Sequence, residues 1–250
     1  MKDAPAAKKM SAVILAGGKG TRLKPFTMTI PKPLLPLGDV SILEIVIEQL
    51  VAAGISHIVL TLGHMASLLM ACIGTGDRWG IKIDSVIERE PLGTAGSLRA
   101  IGNLEENFIV MNADLLTTLD YEDMFDYHVR NQSIGTIGLS KREVLIDYGV
   151  VRATPEGLLD DYIEKPTIPY SVSMGINILS RRCLQFIPPA GKFDMPDLML
   201  AMHRAGHRVH CYETDCYWKD IGRFEDYQQA SEDFVRNPAR FITKRVTANS

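Results

Sequence analysis

The stretch "SAVILAGGKGTRLKPFT", residues 11–27, joins an apolar segment to a loop of glycines and cations. Residues 11–16 have the pattern of a buried strand. In an open parallel sheet the ligand crevice lies beyond the carboxyl ends of the strands, so this position favours a ligand-binding loop. Glycines let backbone N–H groups approach an anion closely, and Lys19, Arg22 and Lys24 suit phosphates. A turn followed by a solvated basic face is the alternative.

Composition limits the classes of protein that fit. The chain has 250 residues, 46% hydrophobic and 23% charged, which suits one domain or two small ones. A net charge of -3 predicts no general attraction to nucleic acid or to anionic membranes. No apolar run approaches the roughly 18 residues of a membrane span, and the N-terminus lacks an apolar leader. The four cysteines form no CxxC pair, which indicates reduced thiols and a cytoplasmic protein.

The order of apolar patterns predicts an α/β, Rossmann-like fold. Strand-like and helix-like segments alternate in the first half, and the second half is richer in strands. This order predicts a mostly parallel, mixed central sheet with helices on both faces. The predicted strands include 11–16, 57–62, 81–87 and 107–112, followed by 134–140, 148–153, 158–166 and 174–180. The predicted helices cover 43–55, 121–131, 195–206 and 225–236, and 94–101 can start another.

A single domain is expected over residues 11–236, because no internal repeat or long linker interrupts it. The polar ends, 1–10 and 243–250, are expected to be flexible. The histidines form no cluster with metal-ligand spacing and are interpreted as structural or surface residues.

Two familiar phosphate loops do not match the opening stretch. Residues 18–20 supply the first two glycines of a dinucleotide fingerprint, but Leu23 occupies the place of the third. A Walker loop requires a serine or threonine after its lysine, whereas Lys19 is followed by Gly20. Nicotinamide chemistry and P-loop hydrolysis are therefore disfavoured.

A second cation, Lys32, lies between two prolines in "TIPKPLLPLGD", residues 29–39. Proline fixes φ and biases the preceding residue towards extended backbone, so Lys32 is carried on a stiff loop. A preset cation suits phosphoryl chemistry, although a rigid surface turn is the alternative.

Together, "LAGGKGTRLKPFT" and "PKPLLPLG" closely resemble the signature of the sugar-1-phosphate nucleotidyltransferases, or nucleotide-sugar pyrophosphorylases. Further family blocks follow in order over residues 11–236: "EREPLGTAGSL", "VMNADLL", "DYGVV", "IEKP", "MGINILS" and "YWKDIGRFEDY". The wording is most like that of mannose-1-phosphate guanylyltransferases. The resemblance implies one nucleotidyltransferase catalytic domain with the fold predicted above.

The resemblance also implies roles for individual residues. The family reaction is an in-line attack by a sugar-1-phosphate oxygen on the α-phosphorus of a nucleoside triphosphate, dependent on Mg²⁺. The implied catalytic residues are Arg22, Lys32, Asp114 and Asp220, of which Asp114 and Asp220 hold the metal. The implied nucleotide-binding residues are Leu15, Ala16, Gly17, Gly18, Gly20, Thr21, Glu90, Pro91, Gly93 and Thr94. The implied sugar-phosphate-binding residues are Asn112, Gly149, Glu164, Lys165 and Asn177.

Base choice depends on the segment "EREPLGTAG". Guanine offers two neighbouring donors, N1–H and N2–H, that one carboxylate can accept together, so Glu88 or Glu90 favours GTP. Related enzymes that use UTP or dTTP carry similar loops, and CTP is also left open. Mannose 1-phosphate is the favoured acceptor, with heptose, glucose or amino-sugar 1-phosphates as alternatives.

The sequence departs from the family in two places. Many mannose enzymes carry an additional C-terminal domain, so this chain is expected to be a bare catalytic domain without that means of regulation. Ala113 replaces a common glycine in "VMNADLL", which is tolerated where φ is negative. Some relatives are non-catalytic nucleotide-sugar-binding regulators, but the retained cations and carboxylates favour catalysis. A homo-oligomer is left open.

Overall fold

The computed structural model describes residues 10–242, so the ends expected to be flexible lie outside it apart from Met10. Met10 is 5% exposed and packs in the core. No helix within residues 10–242 is long and apolar enough to cross a membrane.

Thirteen strands and five α-helices form the described part of the chain, with short 3-10 turns between them. The strands are β1 Ser11–Ala16, β2 Pro36–Leu37, β3 Val40–Ser41, β4 His57–Leu62, β5 Lys82–Ile87, β6 Asn107–Asn112, β7 Leu115–Thr117, β8 Gly135–Leu145, β9 Val150–Ala153, β10 Leu159–Ile163, β11 Thr167–Ser180, β12 Val209–Thr214 and β13 Trp218–Asp220. The helices are α1 Ile42–Ala52, α2 Ala66–Ile73, α3 Tyr121–Arg130, α4 Met195–Arg204 and α5 Phe224–Arg236.

A seven-stranded sheet in the order β12-β8-β11-β6-β1-β4-β5 forms the centre of the fold. Strand β11 runs antiparallel to both neighbours, and every other neighbouring pair in this sheet is parallel. Residues of β1 alternate between the two faces. Ile14 packs with α1, α2 and α3, whereas Val13 packs with α4 on the opposite face. The predicted mixed, mostly parallel sheet with helices on both faces is confirmed.

A third apolar cluster lies beside the carboxyl end of the sheet and joins distant parts of the chain. Leu23 and Ile221 are both buried in it, together with residues of α1 and α5. Leu23 directly follows one residue implied in catalysis and Ile221 directly follows another. The cluster therefore anchors both of their backbones.

Helix α1 begins with a capping box. The Ser41 side chain accepts from the N–H of Glu44, and the Glu44 carboxylate accepts from the N–H of Ser41. The helix ends before Gly54, whose φ of 84° is the left-handed conformation that favours glycine.

Several elements differ from the sequence prediction: the short strands β2, β3, β7 and β13 were not predicted, and β8 and β11 are longer than predicted. Residues 94–101 contain only a 3-10 turn, Gly96–Ala100, because the chain is held against Phe193 instead of continuing as a helix. Helix α2 was not predicted, since its apolar residues also face solvent and obscure the helical period. Strand β12 was also missed, because it lies at the sheet edge and mixes polar with apolar residues.

Candidate active site

A cleft of about 700 Å³ opens at the carboxyl ends of β1, β4, β5 and β6. The loop that follows each strand contributes to it: residues 17–22 after β1, 63–64 after β4, 88–94 after β5 and 113–114 after β6. This is where an open parallel sheet binds ligands.

Gly20 turns the first loop towards the cleft. Its φ is 59°, and a Cβ there would lie only 3.0 Å from Thr27 Cγ2 and 3.1 Å from Lys32 Cβ. The Thr27 hydroxyl donates to the Gly20 carbonyl oxygen at 2.8 Å. The chain then enters the 3-10 turn Thr21–Leu23, so Arg22 lines the cleft while Leu23 is buried.

Gly63, which sequence reasoning missed, sets the distance between two of these loops. A Cβ on Gly63 would lie 2.7 Å from the carbonyl oxygen of Gly17. Since that neighbour is backbone, it cannot move aside as a side chain can. The available signal was a glycine directly after the predicted strand 57–62.

Asp114 and Asp220 are brought together by backbone pairing. Strand β13 pairs antiparallel with β7, so Asp220 lies opposite Leu115. The N–H of Ile221 also donates to the carbonyl oxygen of Asp114 at 3.0 Å. Lys32 Nζ donates to Asp114 Oδ2. Two carboxylates and a cation thus meet although they lie far apart in the sequence.

The charges around Asp220 influence one another. Burial raises the pKa of Asp220, and the nearby charge of Asp114 raises it further, while Lys32 and Arg22 oppose the rise. A Cβ on Gly222 would lie 3.2 Å from an Arg22 guanidinium nitrogen, so the Arg22 guanidinium lies directly beside this glycine. The four residues implied in catalysis therefore form one electrostatic group. Arg22, Lys32 and Asp114 line the cleft, and Asp220 contributes through its neighbours.

One carboxylate oxygen in this group has its hydrogen-bonding capacity unused. Asp114 Oδ1 is buried and has no hydrogen-bond partner among residues 10–242. Within the same residues, no group of three or more acidic, histidine or cysteine side chains is placed to hold a metal. Any cation here would take two protein carboxylates and complete its coordination with ligand or water oxygens.

The 88–98 loop borders the cleft. Glu88 Oε2 accepts from the N–H of Leu92 at 3.3 Å, and burial raises the pKa of Glu88. Every residue implied in nucleotide binding lines the cleft. They are Leu15, Ala16, Gly17, Gly18, Gly20, Thr21, Glu90, Pro91, Gly93 and Thr94.

The residues implied in sugar-phosphate binding are divided. Asn112 lines the cleft, and Asn177 is buried on β11. Gly149, Glu164 and Lys165 are not among the cleft-lining residues and flank the outer strand pair, β9 and β10. A Cβ on Gly149 would lie 3.0 Å from Glu164 Oε2, so these two residues are adjacent. Lys165 Nζ pairs with an aspartate, Asp147, at 3.4 Å.

Several polar side chains line the cleft without having been predicted, including Arg89, Thr61 and Ser97. His64 follows Gly63, and Lys192 and Asp194 come from the segment before α4. His64, which was interpreted as a structural or surface residue, is exposed and lines the cleft. Lys19 also lines the cleft, and Lys24 is exposed outside the lining.

Glycine loops at the ligand crevice of an open sheet, together with paired cations and carboxylates, are typical of the class of proteins that bind nucleotides. Residues 11–237 match the family model described as nucleotidyl transferase. The chain therefore belongs to the nucleotidyl transferase family, and the family resemblance drawn from the sequence motifs is confirmed.

Two curated relatives are similar to most of this chain. Mannose-1-phosphate guanylyltransferase catalytic subunit beta of Danio rerio is 35% identical over 96% of this chain and 68% of that protein. Mannose-1-phosphate guanyltransferase beta-A of Xenopus laevis is 35% identical over 87% of this chain and 62% of that protein. The chain thus spans roughly two thirds of the length of these relatives.

One solved structure is similar to this chain over nearly the whole length of both proteins. HddC of Yersinia pseudotuberculosis, crystallised with GMP-PN, has a TM-score of 0.66 and 28% identity. The match covers 90% of this chain and 99% of that one.

Proposed function

We propose that the protein transfers a nucleotidyl group from GTP to mannose 1-phosphate, releasing pyrophosphate and forming a nucleoside diphosphate sugar. The observation that carries the proposal is the convergence of Arg22, Lys32, Asp114 and Asp220 at a cleft bordered by a glycine loop. Catalysis of this reaction consists mainly of alignment and charge stabilisation, which such a group supplies.

The geometry supports a division of labour between the cations. A phosphate oxygen of the sugar 1-phosphate attacks the α-phosphorus in line, the bond from the α-phosphorus to the bridging oxygen breaks, and pyrophosphate leaves. Arg22, on the glycine loop, holds the triphosphate and the charge that develops on pyrophosphate. Lys32 is 8% exposed and paired with Asp114, so its ammonium is held still beside the α-phosphate.

The carboxylates fit a magnesium ion. Asp114 Oδ1 is a buried acceptor that lacks a partner within residues 10–242. Burial raises the pKa of Asp220 and repulsion from Asp114 raises it further, and a bound cation would relieve that repulsion. Asp114 and Asp220 would hold Mg²⁺, which supplies neutralisation of charge on the phosphate oxygens.

GTP and mannose 1-phosphate are favoured by two independent arguments. Glu88 and Glu90 both line the cleft, so a carboxylate is available for the paired donors of guanine. The two curated relatives are named as mannose-1-phosphate guanylyltransferases, and the matching solved structure contains GMP-PN.

The unpaired state of all four cysteines supports a cytoplasmic location.

Pyrophosphate release should be measured for GTP, UTP, CTP, ATP and dTTP against mannose, heptose, glucose and amino-sugar 1-phosphates. We expect GTP with mannose 1-phosphate to give the highest kcat/KM. A clear preference for another nucleotide or sugar would overturn that part of the proposal. Nucleotide-sugar binding without pyrophosphate release from any pair would identify a non-catalytic binding protein.

Asp114→Asn is the matched variant for this screen. We expect it to lose Mg²⁺-dependent pyrophosphate release by at least about a hundredfold while keeping its fold, judged by circular dichroism. Wild-type turnover in this variant would refute the role of Asp114.

A further inference from the structure

Eight hydrogen bonds join residues 92–99, in the 88–98 loop and just after it, to the segment 188–195, which lies about a hundred residues later in the sequence. The Phe193 carbonyl oxygen accepts from the N–H groups of Ala95 and Gly96 at 3.0 and 2.9 Å, and the Phe193 N–H donates to the Leu92 carbonyl oxygen at 2.9 Å. Arg99 donates to the carbonyl oxygens of Pro188 and Gly191. Three further hydrogen bonds involve Thr94 and the start of α4, the longest of them from the Thr94 hydroxyl to Asp194 Oδ1 at 3.5 Å.

Thr94 and the start of α4 satisfy each other's polar groups. Asp194 Oδ1 accepts from the Thr94 N–H at 3.0 Å, and the Thr94 hydroxyl oxygen accepts from the Met195 N–H at 2.7 Å. Asp194 is the N-cap residue of α4, yet its carboxylate makes no cap bond within that helix. Instead of capping α4, the Asp194 carboxylate accepts a hydrogen bond from the 88–98 loop.

The loop is close-packed at this point. Gly93 has a φ of 82°, and a Cβ there would lie 2.5 Å from the Phe193 carbonyl oxygen and 2.8 Å from Asp194 Oδ1. The Thr94 N–H hydrogen bond lowers the pKa of Asp194, and Lys192, whose Nζ is 3.0 Å from Asp194 Oδ2, adds to that effect against the opposing burial. The carboxylate therefore stays ionised and paired beside the cleft.

We propose that Asp194 is a positioning residue for nucleotide binding, which acts by fixing the backbone of Gly93 and Thr94 in the 88–98 loop. This inference rests on the proposed function, because it assigns the nucleotide to that side of the cleft. The N–H and hydroxyl of Thr94 are both used in hydrogen bonds with Asp194 and Met195, so Thr94 affects the nucleotide through the conformation of the loop. If the loop occupies its binding conformation for a smaller fraction of the time, the apparent Kd for the nucleotide rises in inverse proportion to that fraction.

The test compares Asp194→Ala, which removes the acceptor, with Asp194→Asn, which keeps an oxygen acceptor for the Thr94 N–H. Titration calorimetry measures the Kd of GTP with Mg²⁺ and without sugar, and steady-state assays measure kcat and the KM of mannose 1-phosphate. We expect Asp194→Ala to raise the Kd of GTP about tenfold, with kcat and the sugar KM within about twofold. Asp194→Asn should restore the Kd to within about threefold of wild type.

Asp197→Asn, on the exposed side of α4, is the control for removing a carboxylate nearby and should match wild type. Unchanged GTP affinity in Asp194→Ala would overturn the inference. So would equal rises in both substrate constants, which indicate general destabilisation, or an Asp194→Asn variant as weak as Asp194→Ala. Failure of the wild-type protein to bind GTP or release pyrophosphate would instead refute the proposed function.

Discussion

At the scale of single residues, the site concentrates charge that the fold would otherwise avoid. Asp220 is kept beside Asp114 by strand pairing, and burial together with that neighbour raises its pKa. Such a pair costs stability unless a cation occupies it. Catalytic usefulness and stability should therefore oppose each other at Asp220.

Asp220→Asn should abolish Mg²⁺-dependent pyrophosphate release and raise the melting temperature measured without metal. Because the pKa of Asp220 is higher in the folded state than in the unfolded state, ionisation of this carboxyl group destabilises the folded protein. The stability of the folded state is therefore fully present below the unfolded pKa of Asp220 and is lost as pH rises through its folded pKa. The gain from asparagine should therefore be largest near pH 8 and vanish near pH 4. We expect roughly 2–4 °C, which corresponds to about 1 kcal/mol in a domain of this size. Asp39→Asn, on an exposed turn, is the charge-matched control; an equal gain there would contradict the explanation.

Gly63→Ala tests the steric contact between the loops that follow β1 and β4. The added methyl group would meet the Gly17 carbonyl oxygen at 2.7 Å, so one loop must shift. We expect a loss of about 1–3 kcal/mol in the free energy of unfolding by urea, together with weaker GTP binding. Gly102→Ala adds the same methyl group where no atom lies within 4 Å. A similar loss in both variants would show that backbone freedom, not the contact, is responsible.

At the scale of elements, sequence reasoning succeeded where the signal is local. The central strands at 11–16, 57–62 and 107–112 were predicted to the residue, because strands buried on both faces give continuous apolar runs. The glycine loop after β1 was also recognisable, because its glycines and cations are adjacent in the sequence. The contribution of Asp194 could not be predicted, because it depends on how α4 packs against a loop a hundred residues earlier. The proximity of Asp114 and Asp220 followed from family resemblance, since the β7–β13 pairing is too short to predict.

Helix α3 is attached to the sheet through a buried histidine. His128 is 1% exposed, and its ring nitrogens lie 2.8 Å from Thr136 Oγ1 on β8 and 3.2 Å from Asn107 Oδ1 on β6. Burial, with smaller effects of His210 and Arg182, lowers the pKa of His128 to about 4. Protonation in the folded state would disrupt this attachment.

Acid should therefore weaken the fold through His128. Since the folded pKa lies below the usual value near 6.5, the unfolded chain takes up the proton first as pH falls. Stability contributed by neutral His128 is complete above pH 6.5 and is lost towards pH 4, by about 3 kcal/mol at most. Urea unfolding of wild type and His128→Gln between pH 7.5 and 4 measures this, because carboxylates common to both cancel. Parallel pH profiles for the two proteins would contradict the assignment.

At the scale of the whole molecule, the candidate site is spread over two regions. The residues implied for the nucleotide line the cleft, whereas Gly149, Glu164 and Lys165 flank the outer strand pair. That pair is not part of the seven-stranded sheet, and most of its side chains are exposed. The proposed function, with the roles implied for these three residues, requires the outer strand pair to contact the sugar 1-phosphate while the cleft holds the nucleotide. The outer strand pair should then affect the sugar 1-phosphate and leave nucleotide binding alone.

Lys165→Met tests this separation. Losing a charge-assisted contact to the sugar phosphate should raise the KM of mannose 1-phosphate roughly ten- to a hundredfold, while the Kd of GTP measured without sugar stays within about twofold. Lys141→Met is the matched control, since Lys141 is also exposed and paired with a carboxylate, Glu213, at 3.2 Å.

Because Lys165 lies outside the cleft lining, hydrogen exchange over residues 146–166 should slow only when both substrates are present. An unchanged sugar KM would separate the outer strand pair from the reaction and place the acceptor phosphate wholly within the cleft.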